Sequence, residues 1–386
     1  MLRFLTAGES HGECLTVIIE GMPAGVRISE EFIASEMQKR QTGAGSGGRQ
    51  LIEKDKVKIM SGVRFGQTLG SPISLQIINR DFINWEKTMA ICPQTSKYRQ
   101  SIRVVKPRPG HADLAGVQKY GFDDVRNVIE RASARETAAK VAAGAIFKQF
   151  LLQFSIEMAS HTVQIGNVRS DNLKYSFQDV KNSYCVNPEI RCLNRQTAKN
   201  MKEAIQKARI KKDTLGGIVE VWAVNVPVGL GSYVHYDRKI DGQIAQALMS
   251  IPSVKAVEIG EGLANSSQYG SSVHDTIYFN NQYYRKTNNA GGIEGGVTNG
   301  MPIIVRVFHK PISTLYKPLG TINLITKKPD TATVERSDIC IVPRGGVVSE
   351  AMLSFVITRA MLEKFGCDNL PDIIHSYNHY LARIGC

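Results

Sequence analysis

Residues 124–154 read DVRNVIERASARETAAKVAAGAIFKQFLLQF, a stretch regular enough to form one long helix. Charged residues punctuate it up to Thr137. Beyond that point Ala, Val, Ile, Phe and Leu occupy nearly every side, and a helix apolar all round is stable only inside a core. A buried central helix needs other layers to cover it, and the chain supplies them. Apolar or alternating runs at 2–7 (LRFLTA), 13–21 (ECLTVIIEG), 50–62, 71–82 (SPISLQIINRDF), 214–231, 254–262 and 301–312 (MPIIVRVFHKPI) read as strands. Residues 29–41 form a helix with Ser29 as its N-cap, and 241–251 and 349–365 are further helices. Residues 155–193 look like an irregular excursion, and the polar 261–290 like a mobile loop. The class is mixed α+β, with helices buried against several sheets and no linker to divide them.

The composition bounds the function. Apolar residues at 42% and charged residues at 22% allow a sizeable core. The N-terminus carries no signal-peptide pattern, and no run of about 18 uncharged apolar residues predicts a membrane span. Seven scattered cysteines without a C-x-x-C point to reduced thiols and a cytoplasmic setting. A net charge of +13 raises a nucleic-acid reading, centred on NRQTAKNMKEAIQKARIKK at 194–212. There Met201, Ala204, Ile205 and Ala208 mark one apolar helix face, and no aromatics interleave with the lysines. A solvated helix face explains the block better than a nucleic-acid surface.

Several short motifs carry chemistry. GESHG at 8–12 fits the G-x-S-x-G of a hydrolase elbow, but that turn needs a strand before it and a helix after it. Here a strand follows, so the loop either is a plain turn or holds His11 at a site. GAGSGG at 43–48 contains G-x-G-x-x-G, yet a helix precedes it and a strand follows, the reverse of a dinucleotide site. RPGHADL at 108–114 surrounds His111 with Arg108 and Asp113, a setting that tunes an imidazole. In ERASARET, Arg131 and Arg135 share a helix face, with Glu130 and Glu136 as alternative partners to an external oxyanion. ERSD at 335–338 puts Arg336, Ser337 and Asp338 at a strand-to-loop junction, with Asp338 a candidate base. His161, His235, His274 and His309 lie in strand-like or polar stretches without evident partners. His375 and His379 lack a third ligand, so no metal site is expected. The residues alone describe an anion-binding enzyme with two loop histidines and a carboxylate.

Taken together and in order, GESHG, RPGHADL, RASARETAAKVAAGA (131–145), the 232–262 segment, GGIEGGVTNGMPI (291–303), KPISTLYKPL (310–319) and ERSD resemble the chorismate synthase family. The resemblance spans about residues 1–365 as a single domain and leaves 366–386 as a C-terminal helical tail outside it. It implies a carbon–oxygen lyase acting on phosphates. The reaction is the trans-1,4 elimination of phosphate from 5-enolpyruvylshikimate 3-phosphate to chorismate, in the shikimate pathway of aromatic amino acid biosynthesis. The cofactor the resemblance implies is reduced FMN, not consumed overall, with NADPH only an indirect reductant. By the same resemblance His11 protonates the departing phosphate, Ser10 belongs to a relay, and His111 sits by the flavin. Asp338 helps remove the C6 proton through the flavin N5, with Ser133 nearby. Flavin contacts carry over to Arg131, Ala132 and Ser133, to Pro252 and Ser253, to Gly295, to Lys310, Pro311, Ile312, Ser313 and Thr314, and to Arg336.

Arg40 and Arg49 resemble arginines of the family's active-site mouth, and Arg135 joins them as a substrate or nicotinamide contact. Ser46 stands where many relatives carry an arginine, which implies weaker substrate capture or compensation by Lys39 or Arg49, and Arg344, in VPRGGVV, is a further candidate to supply that charge. The fold implied is a β-α-β sandwich of antiparallel sheets around buried helices, assembled as a homotetramer. An external flavin reductase is an expected partner; nucleic acid and membrane are not. The alternative is a flavin-dependent oxidoreductase acting on a small phosphorylated acid.

Overall fold

The computed structural model describes residues 1–47, 54–170 and 175–385. Two antiparallel sheets form its outer layers. The first joins β1 (Arg3–Ala7), β2 (Cys14–Glu20), β3 (Val57–Ser61) and β4 (Ile73–Ile78) in the order β1-β2-β4-β3. The second joins β5 (Glu157–Ile165), β6 (Val168–Arg169), β7 (Gly217–Val224), β8 (Val254–Ile259) and β9 (Ile303–His309) in the order β8-β9-β7-β5-β6. Alternation does what the sequence requires of it: Leu15, Val17 and Ile19 on β2 and Ile73, Leu75 and Ile77 on β4 all face inward and are buried.

In chain order the helices include α1 (Glu30–Gln41), α2 (Asp113–Tyr120), α3 (Arg126–Ala132), α4 (Thr137–Leu152), α5 (Phe177–Val186), α6 (Arg195–Ile210), α7 (Ile240–Met249), α8 (Val342–Phe365) and α9 (Leu370–Ile384). Of these, α4 and α8 lie between the sheets. Helix α4 lies on the first sheet and α8 on the second, and the two helices pack against each other. The class is therefore α+β, with antiparallel sheets enclosing buried helices. Helix α8 is long and apolar enough to cross a bilayer by composition, yet 89% of its apolar window is buried in the protein. Gly144 permits the close α4–α8 approach, because a Cβ there would meet the Ala351 Cβ at 2.3 Å.

Charge is also built into this middle layer. Lys148 on α4 donates to Glu36 on α1 (2.6 Å) and to Glu350 on α8 (2.5 Å), and Ser160 of β5 donates to Glu350 (2.6 Å). All four residues are buried. Burial alone favours a neutral Glu36 carboxyl, but Lys148 and Lys39 outweigh it and bring Glu36 down to about 2.

Five expectations are corrected. The helix read over 124–154 is two helices, because Ser133 leaves helical geometry (φ −66°, ψ 140°) and caps the short turn Ala134–Glu136 through its side chain. The described residues of 155–193 are no excursion: β5 is an inner strand of the second sheet, and α5 packs against it. Residues 261–290 contain a hairpin, Ile277–Asn280 paired with Gln282–Arg285. Helix α8 begins at Val342 rather than near 349, since Pro343 suits a first turn. No strand precedes it at 332–338. Helix α6 keeps its expected amphipathic form, with Met201, Ile205 and Ala208 buried. The C-terminal α9 packs on α8 and adds Leu370 and Ile373 to the core.

Candidate active site

The β1–β2 turn carries GESHG, and β1 and β2 pair as a hairpin. The loop is held from outside by Asn79, whose amide donates to the Glu9 and Gly12 carbonyls at 3.2 and 2.7 Å. The Ser10 amide donates to the Glu130 carbonyl at 3.0 Å. That pinning sends Ser10 and His11 toward α3. The His11 ring lies flat on Trp85, with centroids 3.8 Å apart and planes 20° apart. Its Nδ1 lies 2.9 and 3.0 Å from the two Glu130 oxygens, and its backbone N–H donates to the same carboxylate at 2.8 Å. Burial opposes ionisation of Glu130, but the His11 contacts and Arg126 win and hold it below the usual range. With Nδ1 committed, Nε2 is the ring nitrogen open to a ligand. Ser10 Oγ meets Ser133 Oγ at 3.1 Å, across the break between α3 and α4.

His111 is fixed by the same logic. Its Nδ1 lies 2.5 Å from Asp113 Oδ1, the first residue of α2. Arg108 donates to Asp113 through Nε (2.8 Å) and Nη2 (3.1 Å), and through Nη1 to Thr314 (2.8 Å). Asp113 is fully buried. Burial would raise its pKa, yet hydrogen bonds from His111 and Arg108 hold it well below the carboxylate range. A carboxylate partner fixes the proton on Nδ1, and Nε2, which Arg108 Nη2 approaches at 3.4 Å, is the nitrogen left to accept from an outside group.

Asp338 is clamped on both oxygens. Oδ1 accepts the Gly47 N–H at 2.6 Å, and Oδ2 pairs with Arg344 Nη2 at 2.6 Å. Arg344 stands in the first turn of α8, and the glycine loop rests on its stem: a Cβ at Gly43 would lie 2.9 Å from the Arg344 Cγ.

These groups converge on one cavity of about 400 Å³, a volume typical of small-molecule sites. Ser10, His11, His111, Ser133 and Asp338 all line it. So do Ala132, Pro252, Ser253 and Lys310, then Ile312, Ser313, Thr314 and Arg336, and the arginines Arg40 and Arg135. Not among its lining residues are Arg131, Pro311, Ser46 and Gly295. Gly295 (φ +63°) sits in the turn between Ile293–Glu294 and Val297–Thr298. Ser46 turns inward to its own loop, donating to the Gly43 carbonyl at 2.6 Å. Arg49 lies outside the described residues.

The two arginines of ERASARET do not share a face. The break at Ser133 separates them, so Arg131 is exposed and donates to the Thr6 and Gly8 carbonyls at 2.9 and 3.2 Å. Arg135 is buried and already compensated, by Asp55 (2.6 Å) and Asn79 (2.8 and 3.0 Å). Asp55 also takes Arg40 at 3.1 Å. Burial lowers Arg40 to about 10, with Asp55 pulling the other way. Glu130 and Glu136 partner other groups, Glu136 taking Lys140 at 3.0 Å.

Sequence reasoning missed Trp85, Glu130, Asp55 and Asn79 as site-builders, since each acts on a residue far along the chain. It also set aside two histidines that have partners. His161 Nε2 meets Glu220 at 3.2 Å on the second sheet. His309 lines the cavity and meets Ser253 Oγ at 3.0 Å through Nδ1.

Comparison with known proteins agrees with this geometry. The family model described as chorismate synthase matches residues 2–362. The chain is similar to chorismate synthase of Geobacter metallireducens, 48% identical over 99% of this chain and 98% of that one. It is likewise similar to chorismate synthase 1 of Bacillus cereus, 49% identical over 98% and 99%. A crystal structure of chorismate synthase superposes with a TM-score of 0.80 at 40% identity, covering 100% of this chain and 98% of the other. Coverage this complete, on a fold whose motif histidines and aspartate meet in one cavity, places the chain in the chorismate synthase family of carbon–oxygen lyases acting on phosphates.

Proposed function

We propose that this chain eliminates phosphate from 5-enolpyruvylshikimate 3-phosphate in the trans-1,4 sense, giving chorismate with reduced FMN required but not consumed overall. The carrying observation is the convergence of His11, His111 and Asp338 on one cation-rich cavity. Its lining cations Arg40, Arg108, Arg135, Lys310, Arg336 and Arg344 outnumber the carboxylates Glu335 and Asp338. A substrate with two carboxylates and a phosphate dianion, about four negative charges near neutral pH, needs such a wall.

Each side chain has a task the geometry supports. His11 is the proton donor to the leaving phosphate oxygen, its ring held by the Glu130 carboxylate and aimed by Trp85. Ser10 and Ser133 relay protons beside it. His111 presents Nε2 to the cofactor, and Asp338 is the carboxylate that takes up the proton lost from the substrate's C6. When bound, reduced FMN supplies transient electron density to the allylic system, which side chains cannot. The residues fit its phosphate. Among the described residues Lys310 Nζ reaches only carbonyl oxygens, those of Gly110 and Pro311, at 3.0 and 3.5 Å. Burial and then Lys255 lower its pKa, and an anion bound beside it would oppose both effects. Ser133, Ser253, Ser313 and Arg336 stand around the same cavity.

The wider setting belongs to the same proposal: a cytoplasmic homotetramer in the shikimate pathway, supplied with FMNH2 by an external flavin reductase that spends NADPH. The free thiols of Cys14, Cys92, Cys185, Cys192, Cys340 and Cys367 support the location. The exposed Ile277, Phe279 and Tyr283 of the 277–285 hairpin support self-association. The test is anaerobic incubation with 5-enolpyruvylshikimate 3-phosphate and photoreduced FMN, following chorismate absorbance. Catalytic chorismate formation without net FMNH2 oxidation is expected. Stoichiometric flavin oxidation would favour an oxidoreductase, and full turnover without flavin would overturn the reading. NADPH with oxidised FMN should give no product unless a reductase is added.

A further inference from the structure

His309 and Ser253 form a pair that the reaction does not explain. His309 closes β9, is 4% exposed, and lines the cavity wall. Its Nδ1 lies 3.0 Å from Ser253 Oγ, and its buried Nε2 has no hydrogen-bond partner among the described residues. That Nε2 rests over the first turn of α8, where a Cβ at Gly345 would lie 2.6 Å from it. The N-terminal end of a helix carries partial positive charge, so it suits a lone pair and not a second N–H. A buried N–H without an acceptor also costs more than a lone pair facing that end. The proton therefore belongs on Nδ1, and His309 donates to Ser253 Oγ.

A hydroxyl has one hydrogen and two lone pairs. If one lone pair is taken by His309, the Ser253 hydrogen is free to point elsewhere, and Ser253 Oγ has no other partner among the described residues. Ser253 itself is held in a left-handed conformation (φ +77°), with its carbonyl accepting the Lys310 N–H at 2.9 Å. Strain of this kind persists where the surroundings fix it. Lys310, the next cation along the chain from His309, lines the same cavity as Ser253.

We infer that His309 is a positioning residue that sets the polarity of Ser253, committing its hydroxyl to donate to a phosphate monoester oxygen in the cavity. This rests on the flavin reading above and names FMN's phosphate as the first candidate, with the substrate's ester phosphate as the other source. The tautomer is tested by 15N NMR of the His309 imidazole, assigned by its loss in His309→Asn. Protonation on Nδ1 alone is expected, and a proton on Nε2 overturns the inference.

The ligand is tested by binding FMN and riboflavin, which differ only by the phosphate. Ser253→Ala should cut the preference for FMN by roughly tenfold while leaving riboflavin unchanged. His309→Phe should lose part of that preference, and His309→Asn, which keeps a donor near the Nδ1 position, should restore it. An unchanged FMN preference with a raised KM for the phosphorylated substrate would assign the hydroxyl to that phosphate. An unchanged preference and an unchanged KM in Ser253→Ala would overturn this inference and leave the flavin reading intact. A wild-type protein that binds neither flavin would overturn both.

Discussion

Glu130 holds His11 twice, taking the backbone N–H at 2.8 Å and the ring Nδ1 at 2.9 Å with the same carboxylate. One side chain thus fixes both where the imidazole sits and which nitrogen faces the cavity. Arg126 braces it, reaching Glu130 at 3.3 Å and the cavity residue Glu335 at 2.8 Å.

Replacing Glu130 with Gln keeps the shape and removes the charge. Because Glu130 meets His11 and Arg126 and does not itself line the cavity, kcat should fall roughly 10²-fold while the substrate KM stays within about threefold. Steady-state kinetics with photoreduced FMN measure the split. A rise in KM with kcat intact would assign Glu130 to substrate binding instead.

Arg344 was the candidate to replace an arginine lost at Ser46, but its guanidinium is engaged by Asp338 at 2.6 Å. Arg344→Ala should therefore damage kcat more than KM, by freeing Asp338 to rotate. A buried pair costs about 3–5 kcal/mol to break. Asp338 keeps a quarter of its side chain exposed, so about 2 kcal/mol of stability is expected to go. Urea unfolding and paired kinetics decide between the two roles.

His309 gives the protein an acid weakness. Burial brings its pKa from 6.5 to about 4. Below pH 6.5 the unfolded chain takes up a proton that the folded chain refuses. Stability therefore falls as pH drops from 6.5 toward 4 and is flat with respect to this group above that window. A gap of about 2.5 pH units is worth at most about 3 kcal/mol. Urea midpoints at pH 7 and pH 5 should converge in His309→Phe relative to wild type.

Gly144→Ala improves helix propensity by about 1 kcal/mol on paper. The added methyl would meet the Ala351 Cβ at 2.3 Å, between two helices buried on all sides. Overpacking costs typically about 1–3 kcal/mol, and here backbone must move as well, so packing wins. Thermal unfolding should show a lower Tm than wild type; an unchanged or higher Tm would mean the α4–α8 contact is looser than described.

The strands were legible because one face of each is buried and the period of two survives in the sequence, as in Leu15, Val17 and Ile19. The apolar run after Thr137 likewise announced its burial. The break at Ser133 was invisible, since RASARET has good helix formers and only the tertiary setting lets the serine cap instead. In the site, His11, His111 and Asp338 were found by their loops and by family resemblance. Their partners were harder to see. Asp55 meets Arg135 across 80 residues and Ser253 meets His309 across 56, distances over which no local pattern operates.

The Glu36–Lys148–Glu350 trio has a consequence for how such sequences diverge. Losing Lys148 strands two buried carboxylates and losing either glutamate unbalances the set, whereas exchanging all three for well-packed apolar side chains is close to neutral. Substitution histories should therefore show the three positions changing in concert or staying put, with single-site departures purged, which makes the trio a marker of shared ancestry unrelated to the reaction.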